Sequence, residues 1–284
     1  MFIFEKCLAL FTFFTLVLSG PIFGNDTSSA ALPYGYAGST GPNVWHKMSA
    51  EWKECATSKQ QSPINIHART TVAVRDSQLL YPAVAMFEVF YEAYALRVQL
   101  VPSDPQEFAA MLGGRRYRLV QFHFQLPGEH TLEDEYFPVE IHFVHESVDV
   151  PGQLAVVGIF GDFLKGTGAP DPIFSSLKNQ LEVLRRRKDA RLHASVDLKG
   201  VIRNIETSTI RYYNGSLPFP PCSEGILWYI SEEPVRLRNE EFQDLKKITK
   251  LNSRHTQNDL GSPNLLAMAC PGAGCLDEVS SVGR

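Results

Sequence analysis

The chain has 284 residues, of which 44% are hydrophobic, 20% charged and 11% aromatic, and its formal net charge is −4. That length allows one or two domains and a core large enough to stand without a structural metal or crosslink. The aromatic content excludes intrinsic disorder as the main state, and the mild negative charge argues against a protein that coats nucleic acid.

At the start, Lys6 precedes an apolar run from Cys7 to Leu18, followed by Ser19, Gly20 and Gly24. A basic residue, a short apolar segment and small residues form the pattern of a secretory signal peptide over residues 1–24, and the run is too short to span a bilayer. No later stretch has membrane length, and the terminal Ser-Ser-Val-Gly-Arg carries no apolar lipid-anchor signal. The expected product is secreted, with residues 25–284 forming a single domain that ends in a short tail. Cys55, Cys222, Cys270 and Cys275 remain after cleavage. An even count in an exported chain implies two disulfides, with three pairings open. Asn25-Asp-Thr27 and Asn214-Gly-Ser216 are N-glycosylation sequons.

Residues 25–50 are rich in Gly, Ser, Pro and Tyr and read as an extended entry segment. Strands dominate thereafter. Leu96, Val98 and Leu100 alternate with Arg97 and Gln99; Val120, Phe122 and Phe124 alternate with Gln121, His123 and Gln125; Glu140 and His142 share a face within Val139–Val144. The near-continuous apolar runs Leu154–Phe160 and Ile226–Ile230 suit strands buried on both faces. Two helices are expected. One has Asp171 as N-cap, Pro172 first, a stripe of Ile173, Leu177, Leu181 and Leu184, and Arg185–Lys188 closing it against the helix dipole. The other runs from about Asn239 to Lys250 with Phe242, Leu245 and Ile248 on one side. The basic run, with Arg191, is either a solvated helix end or a site for an acidic extracellular glycan.

His123 and Gln125 project from one strand face, and His142 from a neighbouring strand can join them. Three such ligands with a fourth position open form a catalytic zinc site. Gln121 and Glu140, two residues before each His, are placed to accept from the imidazoles and fix them. Alone, this pattern equally describes a polar patch on a sheet.

The order and spacing of several motifs resemble the alpha-class carbonic anhydrases over nearly the whole mature chain. These are Gly41-Pro42…Trp45; Gln61-Ser62-Pro63-Ile64-Asn65-Ile66; Gln121-Phe122-His123-Phe124-Gln125 through Gly128-Glu129-His130-Thr131; Glu140-Ile141-His142-Phe143-Val144-His145; and Tyr213 to Leu217 with Pro220-Pro221-Cys222-Ser223-Glu224-Gly225. The resemblance implies a mainly β fold with a few helices, built on a large twisted and mostly antiparallel sheet, with zinc at the bottom of a cone. It further implies a Cys55–Cys222 disulfide, which leaves Cys270 to Cys275, and a carbon dioxide pocket of Val144, Val156, Leu217, Phe219 and Trp228. Gln121, Glu140 and His130 would support the ligands, Glu129 would act beyond them, and Tyr94 stands at the proton-shuttle position.

The chain departs from the family at decisive places. The family's three zinc ligands are histidines, whereas the middle position here is Gln125, whose amide oxygen is a weaker zinc donor. The family's gatekeeper threonine is replaced by Pro218, which has neither hydroxyl nor N–H. Phe219 stands where a small polar residue is usual, and Tyr94 titrates too high to shuttle protons at neutral pH. These losses imply weak zinc or none, little or no hydration of carbon dioxide, and a role as a binding, matrix or storage module toward an extracellular protein or glycan. The alternative is an active zinc enzyme with a His2Gln site, converting carbon dioxide and water to bicarbonate and a proton.

Overall fold

A computed structural model of the chain describes residues 34–101 and 106–269. The signal segment, Asn25, Cys270 and Cys275 lie outside the described residues. Short helices α1 (Trp45–Met48) and α2 (Glu54–Thr57) lead into β1 (Asn65–Ile66), β2 (Val72–Val74), β3 (Gln78–Leu80), β4 (Val84–Glu92) and β5 (Ala95–Leu100). There follow β6 (Ala109–Leu112), β7 (Arg115–Gln125), β8 (Thr131–Leu132), β9 (Val139–Ser147) and β10 (Leu154–Phe163). The rest comprises α3 (Pro172–Ser175), α4 (Lys178–Arg186), β11 (Leu192–Asp197), α5 (Lys199–Thr207), β12 (Ile210–Ser216), β13 (Glu224–Leu237), α6 (Asn239–Thr249) and α7 (Leu265–Ala269).

Among the described residues, an 11-stranded sheet runs β11-β4-β5-β7-β9-β10-β13-β12-β2, with β6 joining β3 to β7. Its pairs are antiparallel except β10·β13. The long excursion through α3, α4 and α5 that separates these two strands is the crossover a parallel pair requires. Both strands read as apolar runs because both their faces are covered. One face of the sheet, carrying Phe122, Phe124, Ile141, Phe143, Val157 and Ile159, packs against Ile173, Leu181, Leu184, Val201, Ile205, Leu245 and Ile248 of the helices. The opposite face carries the polar residues, so the candidate site lies across the sheet from the main core.

Several expectations need correction. Residues 171–188 do not form one helix. Asp171 does cap, accepting from the Ile173 N–H, and the whole apolar stripe is buried. However, α3 ends at Ser175 and α4 begins at Lys178, with the Leu177 N–H bonding to Phe174 O in a tighter turn between them. Val120 is not in the core. A bulge between Leu119 and Gln121 shifts the register, so Tyr117 and Leu119, then Phe122 and Phe124, face inward. From Tyr34 onward the entry segment is not extended, because Trp45 Nε1 donates to both Gly35 O and Thr40 O and folds it back into turns and α1. The helix α5 went unforeseen, although Leu198, Val201, Ile202 and Ile205 have helical spacing.

The Cys55–Cys222 disulfide joins residues 167 apart in sequence. Closing so long a loop in the unfolded chain is worth about 5 kcal/mol in the chain-entropy model. Beside it, Arg254 is buried and donates to Gln61 Oε1 (2.7 Å), Ser62 O (2.8 Å) and Cys55 O (3.0 Å).

A second buried polar group sets the response to acid. His145 on β9 lies in the core with the Tyr81 hydroxyl on its Nε2, and burial pushes its imidazole down to about 4. The unfolded chain takes up this proton as the pH falls below about 6.5, while the folded chain refuses it until about 4. Stability present at neutral pH is therefore lost across that interval, by on the order of 3 kcal/mol. Urea unfolding at pH 7 and pH 4.5 should show the loss, and His145→Gln should make it visibly smaller.

Candidate metal centre

The register builds the site as rows across one sheet face. Arg97 on β5 lies opposite His123 on β7, which lies opposite His142 on β9, then Gly158 and Ile230. The next row holds Gln125, Glu140 and Phe160; the row on the other side holds Gln121, Val144, Val156 and Trp228, with Tyr213 beyond. Gly158 is required by close approach: a Cβ there would lie 2.6 Å from Ile230 Cδ1 and 3.0 Å from Glu140 Oε1.

A hydrogen-bond network fixes the imidazoles. Gln121 Oε1 meets His123 Nδ1 at 3.1 Å, and Glu140 Oε1 meets His142 Nε2 at 2.8 Å. Glu140 also binds His130 Nδ1 (2.7 Å), and its Oε2 accepts the backbone N–H groups of Glu129 and His130. His130 Nε2 continues to the Tyr213 hydroxyl (2.6 Å), which donates to Ser62 Oγ. Burial alone would push the Glu140 carboxyl up, but His130 and His142 hold it well below the usual carboxylate range. His130, Glu140 and His142 bring potential metal ligand atoms within 4.8 Å of one another. Their contacts are hydrogen bonds, and both Glu140 oxygens are already engaged by donors, so this cluster orients His142 rather than holding a cation.

With those nitrogens committed, His123 Nε2 and His142 Nδ1 are the atoms left to face a metal, their rings 5.3 Å apart. Gln125 Oε1 is buried without a hydrogen-bond partner, as a third donor would be. The donor set differs from three imidazoles in one member. One donor is a neutral amide oxygen. Burial holds His123 well below its ordinary value, with the charges of His142 and Arg97 adding to the effect, which keeps the imidazole neutral, the form that ligates a metal. The three side chains would offer a metal two imidazole nitrogens and one amide oxygen rather than three nitrogens.

Glu129 lies beside His142. Its Oε1 accepts from the Arg254 N–H at 2.9 Å, while Oε2 is buried with no hydrogen-bond partner, 3.9 Å from His142 Nδ1. Burial pushes this carboxyl well above its usual range. Pro218 is buried in the segment after β12 and offers no hydroxyl. Val144, Val156, Leu217 and Trp228 are all buried, and Trp228 Nε1 bonds to Ser216 O. Phe219 and Tyr94 both pack against a satellite cluster of Tyr34, Trp45, Cys55 and Cys222. Tyr94 and Ala93 form the two-residue β4–β5 turn with φ of 67° and 50°, a left-handed pair normally filled by Asn-Gly. The Tyr94 ring sits 5.8 Å from Tyr34 and 5.7 Å from Tyr36, contacts that hold it there.

The basic run lies apart, at the end of α4. Arg186 pairs with Glu182, Lys188 lies over the Tyr91 ring, and Arg191 lies over Phe90 while pairing with Glu88. Asn214 is exposed on β12. Three contributors were missed in the sequence: Arg97, Arg254 and Tyr36. Only Arg97 carried a signal, through its alternation with Leu96 and Val98.

Residues 40–264 match the family described as eukaryotic-type carbonic anhydrase. The chain is 34% identical over 228 residues to alpha carbonic anhydrase 8 of Arabidopsis thaliana, an alignment covering 78% of this chain and 56% of that relative's length. The solved fungal alpha carbonic anhydrase from Aspergillus oryzae superposes with a TM-score of 0.75 at 30% identity, covering 84% of this chain and 98% of that one. The alpha-carbonic anhydrase from Thermovibrio ammonificans, in complex with the inhibitor sulfanilamide, gives 0.67 at 30% identity over 79% and 95%.

Proposed function

The chain belongs to the eukaryotic-type, alpha-class carbonic anhydrase family, and from that premise we propose that it is a secreted member that has lost most or all carbon dioxide hydration and persists as a binding, matrix or storage module. Family membership names carbon dioxide and bicarbonate as the ancestral substrates. Zinc in a complete site supplies a Lewis acid that makes a nucleophile from water at neutral pH. Gln125 cannot complete that site, and Pro218 cannot relay a proton to Glu129.

The observation that supports this most strongly is the pair of buried oxygens without hydrogen-bond partners, Gln125 Oε1 and Glu129 Oε2. Gln125 stands at the family's middle imidazole ligand, and Glu129 matches the family glutamate whose threonine partner is replaced by Pro218. The Cys55–Cys222 disulfide supports an oxidising, extracellular destination. Among the described residues, no helix is long and apolar enough to cross a membrane.

The experiment is metal analysis of the purified protein after dialysis against zinc-free buffer at neutral pH. The expected content is well below one zinc per chain. A single zinc retained through that dialysis overturns the reading of the site.

A further inference from the structure

Helix α4 carries charge that its own stability does not ask for. It opens on Lys178, has no acidic residue in its first turn, and ends on Arg185 and Arg186. The dipole favours a cation at the end of a helix and disfavours one at the start, and the effect fades within one turn. It therefore accounts for Arg185 and Arg186, but not for Lys178, nor for Lys188 and Arg191 beyond the helix. Five of the seven residues from 185 to 191 are basic, in a chain whose net charge is −4, and all five are exposed. Among the described residues, Lys178, Arg185 and Arg187 form no ion pair. Two other cations are held in place by rings: Lys188 lies 4.6 Å over Tyr91, and Arg191 lies 4.0 Å over Phe90. The patch continues into a groove of about 200 Å³ between α4 and α6, lined by Lys178, Leu181, Glu182, Arg185, Asp244 and Lys247. Glu182 joins the two parts, because it lines this groove and pairs with Arg186.

We propose that this surface binds a sulfated glycan chain, which runs from the groove between α4 and α6 past the end of α4 and sets its sulfates on Lys178, Arg185 and Arg187. The inference names the partner of the secreted binding module proposed above and rests on that reading. The guanidinium fork suits an oxyanion. A single exposed ion pair contributes little in water, so a row of exposed cations gains most from a partner with repeated anions. Lys178 and Arg185 are two turns apart, roughly 10 Å along α4, a separation that a polymer spans and one small anion does not. A nucleic acid strand would need rings on which to stack its bases, and Tyr91 and Phe90 lie beneath Lys188 and Arg191. Glu182 competes with the glycan through its pair with Arg186, as Asp244 does through its 2.9 Å pair with Lys247.

The test is calorimetric titration of the full-length protein at pH 7 with a heparin decasaccharide. Beside it stand the same oligosaccharide stripped of sulfate but keeping its carboxylates, and an oligothymidylate of matched charge. The sulfated chain should bind at least about tenfold more tightly than either, and should lose about tenfold or more in affinity between about 50 and 200 mM NaCl. The Arg185→Gln, Arg187→Gln double variant should weaken it by about tenfold or more. Both side chains are exposed and outside any ion pair, so the fold is retained, and an unchanged urea midpoint checks this. The Arg69→Gln, Arg75→Gln double variant removes the same charge beside β2, at the far edge of the sheet from β11, and should stay within about twofold of the native chain. Glu182→Gln should tighten binding severalfold by removing a competitor. The proposal is overturned if the desulfated chain or the oligothymidylate binds as tightly as the sulfated one. It is equally overturned if the α4 double variant keeps its affinity, or if the β2 double variant loses as much. Zinc content and turnover are read separately from glycan affinity, so the glycan surface can fail while the reading of the metal centre stands.

Discussion

The Gln125→His, Pro218→Thr double variant is expected to hydrate carbon dioxide about a thousandfold or more faster than the native chain in zinc-replete buffer. The supports for a working centre are already in place. Gln121 and Glu140 fix the two native imidazoles, and His130, Tyr213 and Ser62 continue the network behind them. Gln125→His supplies the third nitrogen where an oxygen now stands without a partner, and Pro218→Thr supplies the hydroxyl that Glu129 Oε2 lacks. Removing one preorganised group of this kind costs about 10²–10³-fold in rate. The two changes act as a unit, so each alone should recover far less than its share. Stopped-flow hydration of the three variants, each assayed with zinc content measured in parallel, reads this directly. A double variant that holds one zinc and stays slow would show that the ring of Phe219, which packs against the satellite cluster, also obstructs the reaction.

The largest expected loss of stability comes from Arg254→Met. The guanidinium holds three oxygens from the segment 55–62 and lies 5.7 Å from the Trp45 ring. Methionine fills part of the volume but strands those buried acceptors, and breaking a buried charged contact of this type costs about 3–5 kcal/mol. Urea unfolding at neutral pH should register a fall of that size. Arg254→Lys should recover only a minor part, because one ammonium cannot span acceptors that the planar fork reaches together. The Arg254 N–H would still meet Glu129, so the change isolates the side chain. A variant within about 0.5 kcal/mol of the native chain, the range of an ordinary surface substitution, would refute the assigned role.

What the sequence revealed of the fold depended on how local each signal was. Alternation placed Gln121, His123 and Gln125 together because three successive residues on one strand face suffice to show it. The same alternation misplaced Val120, since a bulge leaves no mark in side-chain type. The stripe from Ile173 to Leu184 was legible as a buried face, but the tight turn at Ser176 and Leu177 that separates α3 from α4 was not. In α5, Gly200 and Asn204 masked a helical pattern. Gly200 is tolerated there for contact, because Asp171 lies against it and leaves no room for a Cβ. Arg254 was illegible because its partners, Cys55, Gln61 and Ser62, lie far away in sequence. Arg97 was visible as a polar residue on a strand, yet its meaning required knowing that β5 pairs with β7. The expectation that His123, Gln125 and His142 form a ligand set, and the weight placed on Pro218, came from family resemblance, and the structure adds two buried oxygens without hydrogen-bond partners, Gln125 Oε1 and Glu129 Oε2.

The most direct test of the account is stopped-flow carbon dioxide hydration by the native protein, purified intact and assayed in zinc-saturated buffer with and without a chelator. The expected result is a rate that stays near the buffer background and does not change when the chelator is added. Rapid bicarbonate formation abolished by chelation would show that His123, Gln125 and His142 sustain a working zinc centre despite Pro218, and would contradict the account.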